Sequence, residues 1–215
     1  MMAHLLDEIT LQRFEEHLKK RDIRLLRPFS KGTTSLIFLG EWKGEKVIIK
    51  LERADTPRHN LRREFEILMF LRGRDIAPEP VAHGTFEERE YLVRRFVPGE
   101  PILYADVERE HILEIARKTL ALDRLNLDHG QIQGGKHILI GEGVYIIDFE
   151  KAGFRKPKNL TSAMAMLFLN DNTISKRLAS KFGLGEDFRE RLRGTLGEYK
   201  RKGNEKNLSR LLSEI

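Results

Sequence analysis

Cysteine is absent from the 215 residues. That excludes disulfide staples, thiolate catalysis and thiolate zinc sites, and leaves oxygen and imidazole as the ligands for any metal. No stretch approaches the run of about 20 apolar residues that a membrane span needs. The N-terminal segment MMAHLLDEITLQRFEEHL acquires charge too early for a secretory signal, so the expected location is the cytoplasm, away from membranes. There is no internal repeat and no low-complexity tract. What is present is the apolar and charged mixture of a globular chain, long enough for one two-lobed domain or two small ones.

Charge is unevenly spread. Residues 1–150 carry 24 Lys and Arg against 26 Asp and Glu, whereas residues 151–215 carry 15 against 7, so the formal net charge of +6 belongs to the C-terminal part. A basic region of this kind suits a polyanion partner such as nucleic acid, and it also suits an ordinary solvated helix face.

Leu5, Ile9, Leu11, Phe14 and Leu18 recur at helical spacing, which predicts an opening helix that ends before the extended Ile23–Leu26. The period then changes to that of strands. SLIFLGEW and KVIIKLE predict a hairpin turning at Lys43-Gly44, preceded by a glycine loop over Phe29–Thr34. A helix follows over Arg62–Leu71, then strands near 80–86 and 91–97, closed by Pro98-Gly99. The second half predicts a helix over about 107–125, a loop at 128–136, strands at 137–140 and 144–149, and helices to the end. The expected fold is α+β in two lobes: residues 1–97 form a small β-rich lobe with one central helix, and residues 98–215 a reduced helical lobe joined by a linker at Pro98–Pro101.

Three places carry chemistry. Lys50 follows the apolar Val47-Ile48-Ile49, where a buried charge needs a partner, and Glu64 on the next helix can supply it. Taken singly, each has a plainer reading as a solvated charge. In the order glycine loop, two strands, lysine, then helix with glutamate, they suit a lysine that fixes nucleotide phosphates while the glutamate holds it in place. Asp148 ends the apolar run Val144–Ile147, where a carboxylate can hold Mg²⁺ or simply cap a turn. The third place is Asp128-His129-Gly130-Gln131-Ile132-Gln133-Gly134-Gly135-Lys136-His137. Its residues 130–136 fit G-x-x-x-x-G-K, but His137 replaces the Ser or Thr of a phosphate loop, and helix-then-strand replaces the required strand-then-helix.

Together these residues resemble the protein-kinase-like superfamily from about Lys31 to Asp148, particularly compact atypical members such as the RIO and Bud32 kinases. The resemblance implies ATP and Mg²⁺ as cofactors. Lys50 matches the phosphate-anchoring lysine, Glu64 the helix glutamate, Asp148-Phe149-Glu150 the metal-binding Asp-Phe-Gly, and Arg95–Gly99 the hinge. Lys31, Gly32 and Thr33 fall where the loop over the phosphates lies, with Ser35 near them, and turn chemistry accounts for Lys31, Thr33 and Ser35 equally well. The chain departs from the pattern in the catalytic loop. His129-Gly130-Gln131 puts Gln131 where the family has its Asp, and Lys136, or His137 with one inserted residue, where it has the metal-binding Asn. Two readings follow: a nucleotide-binding pseudokinase or scaffold, or an enzyme in which Gln131 orients the acceptor hydroxyl, Lys136 neutralises developing charge, Asp128 stands in as base and His137 joins Asp148 at the metal. The loop DHGQIQGGKHI, the short length and the basic C-terminal region look most like an archaeal group of tRNA kinases once described as Ser/Thr kinases. That likeness implies transfer to a ribose 2′-hydroxyl at a variable-loop uridine, with tRNA as partner and no protein partner required. Arg155-Lys156-Pro157-Lys158 and the stretch 189–202 would then contact phosphates. An atypical Ser/Thr protein kinase is the alternative.

Overall fold

The computed structural model describes residues 6–55 and 60–215, so Leu5 lies outside the described residues. The chain divides into two compact units. One comprises the residues up to Val97 together with Asp148–Glu150, and the other Pro98–Ile147 with Lys151–Ile215. The Asp148–Glu150 triplet, far along the chain, packs with the unit that ends at Val97.

The first unit opens with α1 (Glu8–Lys19), capped where Asp7 Oδ1 accepts from Thr10 N at 2.9 Å. Phe14 and Leu18 are buried on its inner face, but Ile9, expected on the same stripe, is 70% exposed. Strands β1 (Ile23–Lys31), β2 (Ser35–Trp42), β3 (Glu45–Glu52), β4 (Pro80–Phe86) and β5 (Arg89–Arg95) form an antiparallel sheet in the order β1-β2-β3-β5-β4, with α2 (Leu61–Leu71) inserted after β3. The β2–β3 hairpin turns at Lys43-Gly44, both at positive φ, as the sequence predicts. The glycine loop is shorter than predicted. Pairing of β1 with β2 runs through Lys31↔Leu36, so Phe29–Lys31 belong to the strand, and Pro28 is tolerated because β1 is an edge strand with irregular register around it. The strand predicted at 91–97 closes at Arg95.

Alternation along β3 gives the sheet two working faces. Val47, Ile49 and Leu51 join Phe14, Leu18, Leu36, Phe38, Tyr91 and Val93 in one apolar core. Ile48 and Lys50 point the other way, opposite Arg94 and Leu92 of β5. Lys50 thus lies inside β3 rather than at its end, buried along with Leu51 and Glu52 beyond it.

The second unit contains α3 (Arg109–Arg124), which buries Ile112, Ile115, Thr119 and Leu122. Its Lys118 is also buried: the ammonium donates to the Val144 carbonyl and lies 2.8 Å from Glu114 Oε1. Short strands β6 (Glu100–Pro101), β8 (Ile138–Ile140) and β9 (Val144–Ile146) form one sheet, and β7 (Leu127–Asp128) pairs with β10 (Gly153–Phe154). The expected linker at Pro98–Pro101 is therefore corrected, because Glu100 pairs with Ile140. Gly99, at φ +142°, permits this, since a Cβ there would stand 2.8 Å from the Ile140 oxygen. Helices α4 (Asn159–Met164), α5 (Thr173–Phe182), α6 (Glu186–Lys202) and α7 (Lys206–Leu212) complete the chain, with a π-helical segment at Ala165–Leu169. Among the described residues, no helix is long and apolar enough to cross a membrane.

Candidate functional site

The first unit gathers its charges around Lys50. The ammonium donates to both oxygens of Glu64, at 2.9 and 2.7 Å, and to Asp148 Oδ1 at 3.0 Å, with Glu150 Oε1 at 3.7 Å. Glu64 is 0% exposed and sits on the inner face of α2, where the helical period places it with Leu61, Leu68 and Leu71. Burial by itself would lower the lysine pKa, but Glu64, Asp148 and Glu150 more than offset it and hold the ammonium above its ordinary range. Lys50 is therefore held in its charged form.

Asp148 follows β9 by two residues and adopts φ +68°. Backbone in that region is unfavourable for any residue with a side chain, and Asp tolerates it better than most. The sequence placed Asp148 at the end of a strand running to Phe149, whereas the strand stops at Ile146. Glu150 also enters the group, in the position where the family motif has glycine. Burial raises its pKa first of all; Lys50 counters, and Asp148 and Glu64 raise it further. Thr34 Oγ1 lies 3.1 and 3.0 Å from its two oxygens.

Of the loop residues expected near phosphates, Lys31 is exposed at the end of β1 and Thr33 is exposed beside it, while Thr34 reaches the carboxylates. The loop is held from beneath. Arg53 Nη1 donates to the carbonyls of Gly32 and Thr33 at 3.2 and 3.1 Å, while its Nε and Nη2 engage Asp55.

Arg94, buried on the same sheet face as Lys50, donates from Nη1 to the Arg95 carbonyl, and its Nε has no hydrogen-bond partner among the described residues. Burial lowers its pKa, while Glu64 and Asp148 act to raise it. Around the Lys50 ammonium stand three carboxylates, of which Glu64 is fully buried while Asp148 keeps 32% of its side chain exposed and Glu150 14%. Glu64, Asp148 and Glu150 each offer an oxygen, all within 4.8 Å of one another, and Asp148 and Glu150 are the two not fully buried. A hard divalent cation fits such a donor set.

The second unit holds the loop after β7. Asp128, expected as a substitute base, has another occupation: Oδ2 takes Arg155 Nε and Nη2 at 2.8 and 2.7 Å, and Oδ1 lies 3.4 Å from Lys158 N. His129 is buried and committed at both ring nitrogens. Nδ1 accepts from Gln131 N at 3.3 Å, so Nε2 carries the proton and donates to the Ile147 carbonyl at 2.9 Å. It therefore positions the loop. Gln131 is half-buried at the head of the 3₁₀ turn Ile132–Gly134, and Lys136 is exposed. His137 is half-exposed, its ring 5.7 Å from that of His129.

A buried lysine clamped by a helix glutamate and by an aspartate at positive φ is an arrangement that suits a kinase-like phosphotransferase. Residues 25–133 match the phosphotransferase enzyme family, and the chain belongs to it. The match includes Lys50 and Glu64 and stops before Asp148. The chain is also similar to an uncharacterized protein of Methanocaldococcus jannaschii, 36% identical over 114 residues, covering 49% of this chain and 97% of that protein. Membership implies use of ATP and, ordinarily, of a divalent metal. Sequence reasoning missed Glu150, Thr34 and Arg94. For Glu150 a signal existed, since a glutamate in place of a motif glycine adds a charge beside Asp148.

Proposed function

We propose that this chain is an ATP-dependent RNA kinase that transfers the γ-phosphoryl group to a ribose 2′-hydroxyl of tRNA, at a variable-loop uridine. Phosphoryl transfer rests on one observation above the others: Lys50 held between Glu64 and Asp148. The choice of RNA rests on the resemblance to archaeal tRNA kinases and on the basic C-terminal part, with 15 Lys and Arg against 7 Asp and Glu over residues 151–215.

In this reading Lys50 binds the nucleotide phosphates, and its carboxylate partners keep it charged and still. Asp148 and Glu150 would hold Mg²⁺, which when bound offsets phosphate charge. The acceptor oxygen bonds to the γ-phosphorus as the bond from that phosphorus to the bridging oxygen of ADP breaks, and the hydroxyl proton passes to the product phosphoryl group. The transition state is loose, so positioning and charge stabilisation carry most of the catalysis and a strong base is not essential. By the resemblance, Gln131 would orient the hydroxyl and Lys136 would neutralise developing charge. The commitment of Asp128 to Arg155 favours this arrangement over one with Asp128 as base.

The test is incubation of the protein with γ-labelled ATP, Mg²⁺ and bulk tRNA, beside Lys50→Ala and Asp148→Ala. Label should appear on RNA, be lost in both variants, and be absent when 2′-deoxy substrate is supplied. Label on protein instead would make the chain an atypical Ser/Thr kinase. ATP binding without transfer to either would make it a pseudokinase, the reading that Gln131 favours.

A further inference from the structure

The two basic segments, 155–158 and 189–202, are far apart in sequence, yet they meet at one place in the second unit. A pocket of about 450 Å³ opens between the segment leading into α4 and the C-terminal end of α6. Lys156, Lys158 and Thr161 form one wall, and Tyr199 and Lys200 the other, with Asp123 at the floor. The ammonium groups of Lys156, Lys158 and Lys200 form no ion pair among the described residues. The one carboxylate is already taken: Asp123 accepts from Asn159 N and Nδ2 at 2.9 and 2.8 Å, from Leu160 N at 3.3 Å and from Tyr199 OH at 3.0 Å. Burial pushes its carboxyl pKa up, and its hydrogen bonds from Asn159, Tyr199 and Leu160 act against that.

Helix electrostatics explain only part of this. Lysines in the last turn of α6 offset the negative end of that helix, which accounts for Lys200. It does not account for Lys156 and Lys158, which come from another segment and face the same opening. Three lysines without an ion pair among the described residues line a concave, solvent-open site whose one carboxylate is already hydrogen-bonded on both oxygens, and that fits a chain of phosphodiesters better than an apolar or cationic ligand.

We infer that this pocket seats the phosphate backbone of the RNA, with Lys156, Lys158 and Lys200 each neutralising a phosphate. The inference rests on the proposed RNA reading and deepens it by assigning named residues of the second unit to the RNA backbone.

The experiment measures tRNA affinity by fluorescence anisotropy across a KCl series. It compares wild type, the triple variant Lys156→Gln/Lys158→Gln/Lys200→Gln, and a charge-matched control, Lys20→Gln/Lys43→Gln/Lys46→Gln, in the first unit. Circular dichroism and the thermal midpoint confirm folding. Each phosphate that the protein no longer neutralises lowers the slope of log affinity against log salt by about 0.7 to 0.9. The slope of the pocket variant should therefore fall by about 2 to 3, and the control should keep the wild-type slope. An unchanged slope in the pocket variant, an equal fall in the control, or no tRNA binding by wild type overturns the inference. Failure of the functional reading looks different: wild type binds tRNA through these lysines but transfers no label. Transfer to RNA that survives intact in the triple variant, with its salt slope intact, removes the pocket and leaves the kinase.

Discussion

A buried ion pair is weak evidence of stability in itself, because desolvating two charges costs as much as their attraction returns; removing one partner leaves the other charge buried and uncompensated. Lys50 and Glu64, at 5% and 0% exposure, are such a pair. Lys50→Met should strand the Glu64 carboxylate and cost about 3–5 kcal/mol in urea denaturation, whereas Lys50→Met/Glu64→Gln should recover most of that loss. A double variant no more stable than the single would mean that Glu64 does not carry its charge against Lys50. Glu150 poses the opposite case. It crowds two other carboxylates beside one ammonium, so its charge serves a bound cation better than the empty fold. Glu150→Gln should weaken Mn²⁺ binding, read by electron paramagnetic resonance, by about tenfold, or about 1.4 kcal/mol, without lowering the thermal midpoint in chelator. Equal Mn²⁺ affinity in the two proteins would take Glu150 out of the cation site.

At the scale of elements, what could be read in the sequence depended on whether a local rule acted alone. The β2–β3 hairpin was legible because Lys43-Gly44 supplies the positive φ that the turn demands between two apolar runs. The β4–β5 turn, by contrast, places Glu87 and Glu88 at positive φ, a conformation no side chain announces. Lys50, Glu64 and Asp148 were legible as chemistry because charges next to apolar strands and helix faces need partners. Glu150, Thr34 and Arg94 join them only through packing, which brings together residues 116 positions apart. The pairing of Asp128 with Arg155 was hidden for the same reason, since the two meet only through the β7–β10 pairing. The loop after β7 can be probed directly. Gly130 has φ +82°, and a Cβ there would stand 2.8 Å from Arg155 Nη2 and 3.1 Å from the Lys151 carbonyl. Gly130→Ala should cost more than about 1 kcal/mol in chemical denaturation, because backbone strain adds to displacement of Arg155 from Asp128. Removing Arg155 as well, in Gly130→Ala/Arg155→Ala, should relieve the crowding part alone; strict additivity of the two losses would show that crowding against Arg155 is not the cause.

For the whole molecule, division into two units means that ligand-linked stability need not be shared evenly. The carboxylates able to hold a cation, Glu64, Asp148 and Glu150, all belong to the unit built on the five-stranded sheet. A ligand that binds only the folded form stabilises it by about 2.7 kcal/mol at a hundred times its dissociation constant. For chains of this size that corresponds to roughly 5–11 °C in the midpoint. Saturating Mn²⁺ or Mg²⁺ should therefore raise the melting transition that reports on this sheet, chelator should reverse the shift, and Asp148→Ala should abolish it. Near-ultraviolet circular dichroism separates the units, because Trp42 lies in β2 and the chain has no other tryptophan. A metal-induced shift that persists in Asp148→Ala, or that appears in the far-ultraviolet helix signal but not in the Trp42 signal, would place the cation elsewhere and detach Asp148 from the role its strained backbone and its hydrogen bond with Lys50 assign to it.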